Sequence, residues 1–377
     1  MSAKHENIHD QRPSDGRPSR RVVLRIVAAT VSGGTLGFVA WRRRREPVRV
    51  TDRRLLMGTL VNLTLVAEDE RAAQAAADAC FARMARLEGV LSRHDRAGQV
   101  AQLNDTGMVA AADAALGDVL DQARRMSELS DGAFDVTVAP LVEIYGGLSI
   151  GSRETGRWSD RGVSRVSPVG SSLPRGAGLP DAQAIEAARG LVGFSRVVVV
   201  PGGSVRVTVP GTRVTLDGIA KGYIVDAGVE VLRAHGFRHV SVEAGGDLRV
   251  SGTRVDGGAW RIGVQAPRAG RVQPLVRFAV TDRAVATSGD YQQAYTADLS
   301  AHHIIDPRSG RSPATLASAT VIAPTAMLAD ALATTVMVLG PEAGLDLVAR
   351  VPDCDALVVT KDGRQIGSGA ITRITVS

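Results

Sequence analysis

Val240-Ser241-Val242-Glu243-Ala244-Gly245-Gly246-Asp247-Leu248-Arg249-Val250-Ser251 decides how this chain folds. Two strand-like runs, Val240 to Glu243 and Leu248 to Ser251, flank a Gly-Gly-Asp phrase suited to a tight hairpin turn. The same pattern recurs upstream, where Val197 to Val200 and Val205 to Val209 flank Pro201-Gly202-Gly203. Leu56 to Val66 alternates as a strand does. Val214 to Leu216, Trp260 to Gln265, Val276 to Val280, Thr320 to Ile322 and Ala356 to Val359 read as further strands. Between them lie helical stretches: Glu70 to Leu91, Asp113 to Ser130, Asp181 to Leu191, the run that follows Gly218-Ile219-Ala220-Lys221-Gly222 to Ala234, Met327 to Leu339 and a short one near Gly344 to Ala349. Hairpins mixed with packed helices predict an α+β fold, antiparallel sheets flanked by helices, rather than a doubly wound parallel sheet. No repeat of solenoid length occurs.

The chain of 377 residues is 44% hydrophobic, which excludes a mostly disordered protein. Its formal charge of +6 does not mark a nucleic-acid binder. The first 50 residues hold 11 Lys+Arg against 4 Asp+Glu, so the remaining chain, with 34 basic and 35 acidic residues, carries −1. Residues 1–50 read as a leader. Ser19-Arg20-Arg21-Val22-Val23-Leu24-Arg25 opens an apolar stretch running to Trp41, in the register of a twin-arginine export signal. The expectation is a periplasmic protein. Arg42 to Arg45 follow without a visible Ala-x-Ala site, so cleavage and retention as an N-terminal membrane anchor both stand. Residues 51–377 form the expected functional domain. Leu148 to Pro180, rich in Gly, Ser, Arg and Pro, is a loop insertion that reads equally as a lid or as a disordered segment. Cys80 and Cys354 read as two buried thiols.

Three phrases near the C-terminus carry chemistry: Thr287-Ser288-Gly289-Asp290-Tyr291, His302-His303-Ile304-Ile305-Asp306-Pro307 and Ala329-Asp330-Ala331-Leu332-Ala333-Thr334-Thr335. The first lets backbone approach a ligand closely. The second sets an imidazole near a carboxylate, suited to proton transfer. In the third, Asp330 and Thr334 lie four residues apart on one helical face, a donor pair for a hard cation such as magnesium. Lysine occurs only at Lys4, Lys221 and Lys361. Lys221 stands at the start of a helix, where amides attract phosphate. Each feature alone has a plain structural reading. Asp330 and Thr334 serve as helix polar residues, His303 as a core histidine with His302 its exposed neighbour, Asp135 as a turn holder, and Lys221 as a solvated cation. Together they point to phosphate chemistry.

In order, Met57-Gly58-Thr59, Ser92 to Asn104, Gly132-Ala133-Phe134-Asp135, Gly218-Ile219-Ala220-Lys221-Gly222-Tyr223 with Asp226, Gly245-Gly246-Asp247 and the three phrases above resemble the FAD:protein FMN transferases, the ApbE family. The resemblance spans roughly residues 53–375 and implies a ligand cleft between two halves of the fold. It implies magnesium-dependent transfer of FMN from FAD, the substrate, to a Thr or Ser of an acceptor flavoprotein in a membrane respiratory complex, releasing AMP. By motif, Asp330, Thr334 and the Gly218 carbonyl would bind Mg2+. Met57, Ala133, Phe134, Asp135, Lys221 and Ile304 would meet FAD, and Asp290 is assigned with them. His303 would be the base, with Lys221 and Asp306 as catalytic partners. The family often has Asp where Thr215 stands and Gly where Asp217 stands, so Asp217 is expected to substitute. His94 is expected to stack on a ring where the family often has an aromatic residue. The leader resembles that of the NosX-like branch. Ser368-Gly369-Ala370-Ile371-Thr372 resembles the Ser/Thr-Gly-Ala-Thr flavinylation sequence of acceptors, but Ile371 breaks it, and a C-terminal strand is preferred. Two rival readings stand beside transfer: an FAD pyrophosphatase that delivers water instead, and a non-catalytic flavin-binding or chaperone protein.

Overall fold

Alternation of inward apolar and outward polar residues builds the central sheet. In Thr59–Ala67 the alternate residues Val61, Leu63, Leu65 and Ala67 are all buried. The computed structural model describes residues 46–146, 179–200, 203–268, 273–369 and 371, and the backbone of 375–376. The leader through Arg45 and nearly all of the 148–180 insertion lie outside the described residues, as does part of the Ser368 to Thr372 phrase.

In chain order the elements are β1 Val48–Leu56, β2 Thr59–Ala67, α1 Glu70–Leu91, α2 Gln99–Thr106, β3 Met108–Val109, α3 Ala114–Leu129, α4 Ala139–Gly146 and α5 Ala182–Arg189. Then follow β4 Val197–Val200, β5 Ser204–Val207, α6 Ala220–Ala234, β6 Val240–Ala244, β7 Asp247–Ser251, β8 Trp260–Val264, β9 Val276–Val280 and β10 Ala284–Gly289. The chain ends with β11 Leu316–Ala323, α7 Ala326–Leu339, α8 Pro341–Ala349, β12 Asp355–Thr360, β13 Gln365–Gly367 and β14 Thr375–Val376. An eight-stranded antiparallel sheet in the order β1-β2-β6-β7-β10-β11-β12-β13 forms the frame, with two three-stranded sheets beside it. The fold is α+β. The core of α1, α3, α6 and α7 packs on one face of the large sheet. A second cluster, including Leu248, Val250, Trp260 and Phe278, joins the other face to β8 and β9.

Two readings from sequence are corrected. Val48–Val50, assigned with the leader, belong to β1, which pairs with β2. Val214 to Leu216 is not a strand. Its backbone bonds go elsewhere: the Asn104 amide brackets Val214 N–H and C=O, and Thr215 N–H donates to Val136 C=O. Thr287 to Gly289 form the end of β10. Cys80 is buried and Cys354 half-buried; both are free thiols whose pKa burial raises, to about 12 and about 11.

α6 and α7 approach closely because position 222 has no side chain. A Cβ on Gly222 would lie 2.2 Å from the Ala326 carbonyl oxygen and 2.7 Å from the Met327 nitrogen. Neither backbone atom can yield without moving a helix. Gly222→Ala is expected to lower stability by about 2–3 kcal/mol, read by denaturant unfolding.

Candidate active site

Three turns or strand ends meet at one end of the large sheet. Met57-Gly58 joins β1 to β2, Gly245-Gly246 joins β6 to β7, and Thr287 and Ser288 lie near the end of β10. A Cβ on Gly245 would lie 2.9 Å from Thr59 Oγ1, and one on Gly246 would lie 3.8 Å from the Thr287 carbonyl oxygen. Against this end stand the starts of α6 and α7. Between them opens a cleft of about 710 Å³, large enough for a cofactor-sized ligand.

The polar floor of the cleft comes from the two helices and the β6–β7 turn. Asp226 accepts from Ala326 N–H at 2.8 Å and Met327 N–H at 2.9 Å, fixing the start of α7. That places Asp330 and Thr334 one turn apart on the helix. α6 has no side-chain cap at its start, and its Gly222 N–H donates to Asp330 Oδ2 at 3.1 Å. Lys221 Nζ lies 3.1 Å from Asp247 Oδ2. That oxygen is buried and has no aligned hydrogen bond, so the contact is an ion pair with unused acceptor capacity. Thr334 Oγ1 is 3.2 Å from Ser288 Oγ. A Cβ on Gly218 would lie 3.0 Å from Thr334 Oγ1, so glycine is what lets this backbone come near.

Asp247 and Asp330 are 1% and 4% exposed. Burial raises the pKa of both, and the Asp247 carboxylate further opposes ionisation of Asp330, whose pKa stands well above the ordinary carboxylate value. At Asp247 the Lys221 ammonium partly offsets burial. Burial alone would lower the Lys221 pKa. The carboxylates of Asp247, Asp330 and Glu243 outweigh it and hold the ammonium charged.

The donors here are all oxygens: two carboxylates, a hydroxyl and the nearby backbone of Gly218. Among the described residues no group of three or more His, Cys, Asp or Glu is placed to hold an ion. A hard cation that keeps waters or substrate phosphates as ligands suits such a set, and the unused Asp247 oxygen and crowded carboxylate charge fit it.

His303 also lines the cleft. Its Nδ1 is 3.2 Å from the Gln293 carbonyl oxygen, which also accepts His303 N–H at 2.9 Å. A carbonyl only accepts, so Nδ1 carries the proton and Nε2 keeps its lone pair. Burial lowers the His303 pKa, which keeps the ring neutral. His302 is not the exposed neighbour expected. It is fully buried, its Nε2 sits 3.2 Å from the Pro313 carbonyl oxygen, and its pKa falls to about 4.

Met57, His94, Ala133, Phe134, Asp135, Thr215, Asp217, Gly218, Lys221, His303, Ile304, Asp330 and Thr334 all line this one cleft. Two of them also have partners within the protein. Asp135 holds a turn: Oδ1 accepts from Thr137 N–H and Oγ1, and Oδ2 accepts from Phe194 N–H. Asp217 pairs with Arg93 at 3.0 Å.

Asp290 and Asp306 do not line the cleft. Asp290 is wholly buried and accepts from Arg268 Nη1 at 2.7 Å and Nη2 at 2.9 Å. Asp306 accepts from Arg308 N–H and Nε at 2.9 Å and Nη2 at 3.1 Å. The imidazole–carboxylate pairing expected of His303 and Asp306 is therefore replaced by His303 and a backbone carbonyl. Asp247, Arg93 and Gln293 were absent from the expected site. Asp247 carried a signal in its Gly-Gly-Asp phrase; Arg93 and Gln293 carried none.

Met57 has φ +52° and Gly58 +67°, a two-residue turn of left-handed backbone. A methionine there is strained, which ties its presence to the cleft it lines. Met57→Asn is expected to raise stability by about 0.5–1 kcal/mol in denaturant unfolding. The same change should weaken FAD binding severalfold by calorimetry.

A family model described as "ApbE family" matches residues 57–358. The chain is 32% identical over 247 residues to a protein of Vibrio cholerae named FAD:protein FMN transferase, covering 64% of this chain and 66% of that protein. It is 30% identical over 256 residues to one of Escherichia coli with the same name, covering 66% of each. These two alignments span just under two thirds of the relatives. A Klebsiella pneumoniae relative of that name is 30% identical over 318 residues, 81% of this chain and 83% of that protein. Among solved structures, a flavin transferase ApbE from Vibrio cholerae aligns with a TM-score of 0.68 at 27% identity, covering 87% of this chain and 99% of that one. An ApbE protein from Thermotoga maritima aligns at 0.73 and 28%, covering 88% and 100%.

Proposed function

This chain belongs to the ApbE family, and from that premise we propose that it transfers FMN from FAD to a Thr or Ser hydroxyl of an acceptor protein and releases AMP. The observation that carries the reading is the meeting, in one cleft, of Lys221, two buried carboxylates, the Thr334 hydroxyl and a neutral His303.

The acceptor hydroxyl oxygen attacks the phosphorus of the FMN phosphate, and the bond from that phosphorus to the oxygen shared with AMP breaks. His303 Nε2 takes the hydroxyl proton while Gln293 holds the ring's tautomer. Lys221, kept charged by Asp247, faces the diphosphate's negative charge. Met57, Phe134 and Ile304 offer apolar surface to the flat rings. Magnesium, held by Asp330, Thr334 and the Gly218 carbonyl, would neutralise the non-bridging diphosphate oxygens. Without that charge, two buried carboxylates would repel the diphosphate.

The test is incubation with FAD and magnesium, with and without an acceptor domain carrying Ser/Thr-Gly-Ala-Thr. The expected result is covalent FMN on the acceptor by mass spectrometry with equimolar AMP. Free FMN and AMP formed at the same rate without acceptor would establish the pyrophosphatase instead. A membrane respiratory flavoprotein is our proposed natural acceptor. Ser19 to Arg25 supports export by the twin-arginine route to the periplasm. Changing Arg20 and Arg21 to Lys and finding undiminished periplasmic protein by fractionation would refute that route. Among the described residues no helix is long and apolar enough to cross a membrane.

A further inference from the structure

Two histidines stand side by side, and the fold gives them different surroundings. His303 lines the cleft, whereas His302 is fully buried and does not line it. Adjacent residues on extended backbone point to opposite faces, so the direction of one ring constrains that of the other. The segment that carries them is held to Gln293-Ala294-Tyr295 by an isolated bridge between Ala294 and His302. On either side of it, His303 N–H donates to the Gln293 carbonyl at 2.9 Å and Tyr295 N–H to the Ala301 carbonyl at 2.8 Å. So short a pairing is weak by itself against slipping or twisting, and either would turn His303 away from the cleft.

A second set of bonds opposes that movement, and all of it falls on His302. The Ser312 hydroxyl accepts His302 N–H at 2.9 Å and donates to the His302 carbonyl at 2.8 Å, so one oxygen does what a neighbouring strand would do. His302 Nε2 is 3.2 Å from the Pro313 carbonyl oxygen, which only accepts, so Nε2 carries the proton. That leaves Nδ1 as a bare acceptor, buried and without a hydrogen-bond partner among the described residues. An unpaired buried nitrogen costs stability, a cost that a leucine of similar size would avoid. Packing therefore does not explain an imidazole at this place, whereas its Nε2–H bond does.

We propose, resting on the transferase reading in which His303 is the base, that His302 and Ser312 are its positioning residues: the buried ring and the hydroxyl lock the segment so that His303 Nε2 meets the acceptor hydroxyl. A base must stand within hydrogen-bond reach of the proton it takes, and a misplacement of about 1 Å costs on the order of 10²-fold in rate. Burial keeps His302 uncharged at neutral pH, so its influence on His303 is one of position.

The experiment is steady-state transfer by the full chain with FAD, magnesium and an acceptor domain bearing Ser/Thr-Gly-Ala-Thr, measured across pH. His302→Leu is expected to lower kcat by about 10–100-fold, with the KM for FAD within about twofold and the melting temperature close to that of the parent. His302→Gln, whose amide nitrogen can replace Nε2–H, should keep kcat within about threefold of the parent. Ser312→Ala should lower kcat by about tenfold, and Ser312→Thr, which retains the hydroxyl, should restore it. In His302→Leu and Ser312→Ala the loosened His303 ring meets more water, so the acidic limb of kcat should move up toward the ordinary imidazole value of about 6.5. Asp217, Lys221 and Asp290, the charged groups that act on His303, are left in place by all these substitutions. A kcat and an acidic limb like the parent's in folded His302→Leu and Ser312→Ala overturn the proposal. An equal loss in His302→Gln and His302→Leu also overturns it, as does a loss that follows a lowered melting temperature while the limb stays unmoved. If His303→Ala transfers FMN as fast as the parent, His303 is not the base and the underlying reading of the site fails. That result is read in a different variant and so is distinct from failure of the positioning alone.

Discussion

Asp330→Asn is expected to cut FMN transfer by about 10³-fold or more and, at the same time, to stabilise the metal-free protein. The two effects have one cause. Asp330 is buried against Asp247, and only Lys221 supplies compensating charge. The amide of the variant keeps an oxygen to accept Gly222 N–H and offers an N–H to Asp247 beside the Lys221 ammonium. Removing a buried like charge should raise metal-free stability by about 1–2 kcal/mol. The site would then lack the charge that holds a cation. Magnesium should raise the melting temperature of the parent chain and leave the variant unmoved. An active variant, or one that magnesium still stabilises, would remove Asp330 from the metal site.

The pH dependence follows with a definite sign. Burial raises the carboxyl pKa values of Asp330 and Asp247 above their unfolded values. Such groups stabilise fully below the unfolded pKa of about 4, and that contribution is lost as pH rises through the raised folded value. In chelator, this pair should therefore favour folding more at about pH 5 than at about pH 8. The difference should shrink in Asp330→Asn. Magnesium should restore stability at the higher pH by compensating the ionised carboxylates.

His303→Ala is expected to slow transfer by about 10²–10⁴-fold while leaving FAD affinity within about twofold. Burial lowers the His303 pKa, so the neutral base persists to lower pH than an exposed imidazole would. The acidic limb of kcat should therefore fall below the ordinary imidazole value of about 6.5, and it should vanish in the variant. Asp306→Asn provides the contrast. Its carboxylate is committed to Arg308, so transfer should stay within about threefold of the parent. A large loss in Asp306→Asn with an unchanged limb in His303→Ala would reverse the two roles.

Much of this arrangement could be read from the chain itself, because it rests on local rules. The i to i+4 spacing of Asp330 and Thr334 is a helix property, and α7 keeps it. The scarcity of lysine singled out Lys221, and the Gly-Gly turn predicted the β6–β7 hairpin. Local order misled where the deciding partner was not considered. Asp306 is three residues from His303, but Arg308 claims it. Asp290 adjoins a ligand-like glycine phrase, but Arg268 and burial withdraw it from the cleft. Val214 to Leu216 has strand composition, but Asn104 takes the backbone groups of Val214.

The sequence by itself determined the longer helices, the main hairpins and the inventory of oxygen donors, a cation and an imidazole, since those depend on residue type and short spacing. Only the tertiary structure decided which of them share a cleft. Asp247 meets Lys221 because a glycine at 222 lets α6 close on α7 while the β6–β7 turn abuts β2. Those contacts join parts of the chain as far apart as Thr59 and Gly245, and charge balance in a buried site is settled by that proximity rather than by order along the chain.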